Sequence, residues 1–167
     1  MRQGAWRKLL ILLRFAGCGM VERAEVLAPY AARKAEIADA VGRYRRLEQV
    51  FSGHNDTELL ELLQIVRSVA SDIVDALVRY KTWTAEHGVP EWRSEESSDH
   101  LFYKRNVFND IARARLWVGM LNIGAVKRYG LEPEGLVPAG GIWSLDAKAT
   151  DAQVTDWACY LVLGLSA

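Results

Sequence analysis

Few residues in this chain suit covalent frameworks or metal chemistry. Its two cysteines, Cys18 and Cys159, lie far apart and form no CxxC pair. That excludes a disulfide framework and a cysteine metal knuckle. Of its three histidines, none falls in HExxH or ExxH spacing. A protein metal site and a bound cofactor are therefore not expected. Phosphate-cradle and nucleophile-elbow patterns (GxxxxGK[ST], GxGxxG after a strand, GxSxG) are absent. AGG at 139–141 lacks the flanking strand and helix. Formal net charge is zero, which removes any bulk attraction to nucleic acid or anionic membrane. No apolar run approaches the roughly 20 residues of a spanning helix. Repeats, low-complexity tracts and useful strand alternation are also lacking.

What is present is helical periodicity. The 167 residues, half of them apolar and a quarter charged, suit one globular domain over 20–167 behind an apolar extension, 1–19. Tyr30, Ile37, Val41, Tyr44, Leu47 and Phe51 recur at helical steps and predict a helix from about Pro29 to Phe51. Residues 21–28 suit a short preceding helix, broken or kinked at Pro29. HNDTELLELL then offers caps at Asn55, Asp56 and Thr57. The stripe Leu59, Leu63, Val66, Val69, Ile73, Leu77, Tyr80 predicts a helix of about 30 residues, stopped by Gly88 and Pro90. A third helix is expected from about Leu101 to Tyr129. Val107, Ile111, Ala114, Val118, Leu121 and Ala125 form its stripe, widened by Phe108, Trp117, Met120 and Ile123. So broad an apolar surface predicts a central helix, with close contacts at Gly119 and Gly124. Residues 131–149 form a loop pinned by Ile142 and Trp143. Thr150 or Asp151 caps a last helix, whose final turns are apolar nearly all round and must be buried here or in another subunit. The fold class is all-α: a four-helix antiparallel bundle with an apolar N-terminal helical extension.

Charge is blocked along the chain. The net values are +6 over 1–46, −7 over 47–100, +5 over 101–130 and −4 over 131–167. In an up-down bundle each helix would meet neighbours of opposite sign, which penalises wrong pairings without any ligand.

The N-terminus MRQGAWRKLLILLRFAGCGM has a basic start, an apolar run and small residues before Cys18. It resembles a bacterial lipoprotein signal, which would imply lipid anchoring through Cys18. Arg14 interrupts the run, and Phe15 stands where such boxes usually carry leucine. The favoured alternatives are a packing helix on a cytoplasmic protein, or a true start at Met20.

HGVPEWRSEESSDH, residues 87–100, reads as a polar interhelical connection. Its Arg93 and His100 have six residues between them, which is similar to the Arg–His motif of HEPN ribonucleases. That resemblance implies His100 as acid or base and Arg93 on the phosphate. Glu58, Glu61, Asp72 and Asp75 superficially resemble the acidic pairs of all-α nucleotide pyrophosphohydrolases. Here both pairs sit on one helix, and Glu61 to Asp72 spans about 16 Å, so they cannot share a metal.

Basic and aromatic residues interleave in FYKRNVFNDIARARLW, residues 102–117. Lys104, Arg105, Arg113 and Arg115, with Arg43, Arg45 and Arg46, are the candidates for nucleic-acid contact. Against this, the cations would simply face the acidic helix that begins near Asp56. Apolar surface at the two ends supplies the preferred reading. Trp6, Leu9, Leu12, Leu13 and Phe15, with Tyr160 and Leu163, are the candidate interface of a non-enzymatic interaction protein, an adaptor, accessory subunit or inhibitor. Its partner would be another protein or a second copy.

Overall fold

The computed structural model describes residues 20–87, 107–131 and 149–166. Among them are five helices and no strand. They are α1 (Arg23–Ala31), α2 (Lys34–Gly53), α3 (Thr57–His87), α4 (Asn109–Tyr129) and α5 (Asp151–Leu165). The all-helical expectation holds at this level. The extension 1–19, the stretch 88–100 and the loop anchors Ile142 and Trp143 lie outside the described residues.

The chain enters α1 tied to α3. The Val21 N–H donates to Thr82 Oγ1 at 3.1 Å, and Arg23 reaches Asp75 at 2.8 Å and Ser71 at 2.9 Å. Pro29 does not open a helix, as its spacing had suggested. It lies inside α1, and the break comes at Ala32–Arg33, where Arg33 leaves the helical region (φ −85°, ψ 66°). Packing on both sides of the proline carries the helix through it. Val26 is buried, and Tyr30 meets Tyr160 edge-on at 5.6 Å.

Asp56 caps α3, its Oδ1 accepting from the Leu59 N–H at 3.1 Å. Asn55 just before it has φ 52°, a left-handed turn that asparagine tolerates. The predicted stripe is the buried one. Leu59, Leu63, Val66, Val69 and Ile73 are each at most 1% exposed, while Leu77 and Tyr80 are half-buried.

The broad apolar surface of the third helix had marked it as central. Instead α3 and α5 hold the middle, each packed against all four other helices. α4 leans mainly on α3. Its Val118 and Leu121 are buried, but Phe108, Met120 and Ile123 stand in solvent. α5 opens with the expected cap, the Gln153 N–H donating to Thr150 Oγ1 at 3.2 Å. The burial of its last turns is met within this chain, where Trp157, Leu161 and Val162 join the core. Close approach to α2 depends on Gly164. A Cβ there would sit 2.0 Å from Val41 Cγ2.

Opposite charges do meet across the helices. Besides Arg23–Asp75, Arg113 of α4 reaches Asp72 of α3 at 3.4 Å. Arg115 of α4 reaches Asp151 of α5 at 2.8 Å.

Candidate functional site

α4 is a regular helix with conventional ends. Asp110 lies in its first turn and Lys127 and Arg128 in its last, and Gly130 closes it at φ 60°. At about 100° per residue, Ile111, Ala114, Val118, Leu121 and Ala125 fall on one face, and all are buried against the core. Leu116, Met120, Ile123 and Val126 fall on the opposite face and are 58, 44, 57 and 41% exposed. Phe108, about two turns before Leu116 at the start of the helix, is 41% exposed. One or two exposed leucines on a helix are ordinary, whereas a stripe aligned over three turns is a surface of defined shape.

Two glycines lie on this helix, and they differ. A Cβ on Gly124 would come 2.7 Å from Leu59 Cδ2, so this glycine admits α3. The expected close contact is therefore present at Gly124. At Gly119 it is not: an added Cβ would meet nothing within 4 Å. Gly119 lies on the side of the exposed stripe, where no packing among the described residues calls for it.

The nucleic-acid candidates are dispersed and largely engaged. Arg43 is 7% exposed and paired with Asp39 at 2.7 Å. Arg45 reaches Glu48 at 2.7 Å. Arg113 binds Asp110 at 3.0 Å as well as Asp72. Arg115 donates to the Ala149 carbonyl at 2.6 Å and to Asp151. Arg46 is exposed. Lys104 and Arg105, like Arg93 and His100, lie outside the described residues.

The apolar interface candidates divide as well. Trp6, Leu9, Leu12, Leu13 and Phe15 lie outside the described residues. Tyr160 is 8% exposed and packed on Tyr30, so the domain's own core covers it. Leu163 is half-buried and lines a shallow apolar groove with Ile37 and Val41.

A polar cluster joins the α2–α3 corner to the end of α4. Tyr129 OH donates to Asp56 Oδ2 at 2.5 Å, and Arg128 donates to both Asp56 oxygens at 2.8 and 3.0 Å and also to Glu58. The His54 ring stacks on Tyr129 at 4.6 Å. The Tyr129 hydroxyl, helped by the Leu59 N–H and Arg128, holds the Asp56 carboxyl below the usual carboxylate range against the opposing effect of burial. A carboxylate so fully engaged is a poor proton acceptor near neutrality, and the cluster works as a clip. Cys159 is equally unsuited to chemistry. Burial pushes its thiol up to about 12, so at neutral pH it is no thiolate nucleophile.

Glu58, Asp72 and Asp75 each pair with an arginine of another helix, as a structural acidic face would. Among the described residues no group of three His, Cys, Asp or Glu is placed to hold a metal ion. No described helix is long and apolar enough to cross a membrane.

The α4 stripe is thus the surface that sequence reasoning missed. Met120 and Ile123 read as core along the chain because the helix is expected at the centre, and Leu116 and Val126 fall outside that predicted apolar surface. No family model, no curated protein and no solved structure matches the chain.

Proposed function

We propose that this chain acts by association rather than by catalysis, as an adaptor, accessory subunit or inhibitor. Its contact face is the outer side of α4. In this reading α2–α5 form an antiparallel four-helix bundle, one domain over 20–167, working in the cytoplasm. The observation that carries it is the aligned exposure of Leu116, Met120, Ile123 and Val126 on a helix whose other face is already buried. An apolar stripe of that length costs solubility if left bare and is the usual form of a helix-docking surface. The nucleic-acid reading is weaker, because Arg43, Arg113 and Arg115 are paired with acids of the same chain.

A photo-crosslinking residue placed at Ile123, with one at exposed Gln64 of α3 as control, tests the proposal in the producing cell. An adduct of discrete mass from position 123 and none from 64 is expected. Equal labelling at both positions, or no adduct at 123, would remove α4 as the contact face.

A further inference from the structure

We infer that the partner on the outer face of α4 is a second copy of the same helix, packed antiparallel. Leu116 would lie opposite Gly119 of the second copy, and Ile123 opposite its Ala112. This rests on the reading of α4 as a contact face and names its occupant.

Spacing is the first support. Asn109, Ala112, Leu116, Gly119, Ile123 and Val126 follow one another at alternating steps of three and four, the seam of a two-helix contact. All are exposed on the outer side of α4 except Gly119, which is half-buried.

Size is the second. Along the seam small and large residues alternate: Ala112, Leu116, Gly119, Ile123. A parallel, in-register pair would set Gly119 against Gly119 and leave a void that forfeits dispersion contacts. The antiparallel pair sets Leu116 over Gly119 and Ile123 over Ala112, and its two-fold axis repeats both contacts, as an isologous interface requires. It also accounts for Gly119. Glycine weakens an exposed helix relative to alanine, and among the described residues no neighbour comes within 4 Å of an added Cβ.

Charge is the third. α4 is basic, so two copies should repel unless its cations are neutralised at home. Arg113 is held by Asp110 and Asp72, and Arg128 by Asp56 and Glu58. Lys127 falls opposite Phe108 of the second copy in this register, not opposite a cation. The contact is modest in size, with total burial on the order of 1,000 Å², near the lower bound for a specific interface. The dimer should therefore dissociate on dilution into the low micromolar range.

Cross-linking of the purified full chain at tens of micromolar, in a Cys18→Ser background, tests both register and partner. Cys159 is buried and remains a bystander. A mixture of Ala112→Cys and Ile123→Cys chains should form a covalent dimer on mild oxidation. Each variant alone should not, because like positions lie about 16 Å apart along the antiparallel axis. Cross-linking of Ala112→Cys alone as readily as the mixture would overturn the antiparallel register. Gly119→Leu, whose Cβ would meet nothing within 4 Å among the described residues, should keep the fold and weaken association at least ten-fold by light scattering; unchanged association overturns the seam. A wild-type chain that stays monomeric at high concentration excludes the second copy. The adduct at Ile123 then separates the two readings. A discrete mass other than twice the chain keeps the contact face and replaces its occupant, whereas a blank lane removes both.

Discussion

Helix α5 carries apolar side chains around most of its circumference, and the fold buries Trp157 through Val162 without interruption. Helix α4 is apolar on two opposite faces and buries one of them, leaving Leu116 and Ile123 more than half exposed. Both helices carry apolar side chains on more than one face, though α4 also bears four cations, and they differ in neighbours. α5 lies against every other described helix, while α4 rests chiefly on α3. An apolar circumference therefore states that a helix needs covering, without stating what covers it.

The largest test of this contrast is a carboxylate introduced on each helix. Leu161→Glu should unfold the protein or cost about 4 kcal/mol or more, since an unpaired carboxylate would enter a fully buried position. Ile123→Glu, at a site 57% exposed, should change urea stability by no more than about 0.5 kcal/mol under monomeric conditions. Equal losses would mean that α4 is covered after all.

Glycine-to-alanine substitutions grade the same comparison more finely. Gly164→Ala would put a Cβ 2.0 Å from the stiff, branched Val41 and 3.1 Å from Ile37 Cγ2. It should cost about 2–3 kcal/mol and lower the melting temperature by about 5–10 °C. Gly124→Ala pushes against the tip of Leu59, which can rotate, so the helix-propensity gain should offset the clash to within about 1 kcal/mol. Gly119→Ala meets nothing and should stabilise the monomer by about 0.5–1 kcal/mol. A large loss at Gly119 would reveal a contact within the chain.

The smallest effect belongs to the clip at the end of α4. The Asp56 carboxyl is held below its ordinary range by Tyr129. Its contribution is therefore complete above the unfolded value of about 4 and is lost as pH falls through the lower folded value. Thermal melts from pH 6 to pH 2 should show a steeper acid decline in the wild type than in Asp56→Asn. Parallel curves would show that the clip adds nothing to stability.

Much of this was legible along the chain because helical periodicity is local. The α3 stripe from Leu59 to Ile73, the Thr150 cap and the segment-by-segment charge pattern all follow from neighbours a few residues apart. The errors share one source. Local rules favour Pro29 as a helix start, but burial of Val26 and contact at Tyr30 carry α1 through it. Met120 and Ile123 were assigned to the core because their type suggested it. For Arg113 and Arg115 the periodicity leaves phosphate or the acidic helix as partner, and Asp72 and Asp151, distant in sequence, are among the acids they meet.

The amino-acid sequence by itself determined that the chain is helical, where most helices start and stop, and which stripe of each is apolar. These properties arise from backbone propensity, capping and a repeat of about 3.6 residues, which act over a few residues at a time. Only the tertiary structure decided which helix occupies the middle. It also decided that Gly164 and Gly124 admit neighbours while Gly119 does not, and that the outer stripe of α4 faces solvent. Those outcomes depend on how many helices can crowd around one axis, a competition among segments 50 or more residues apart that no local pattern records.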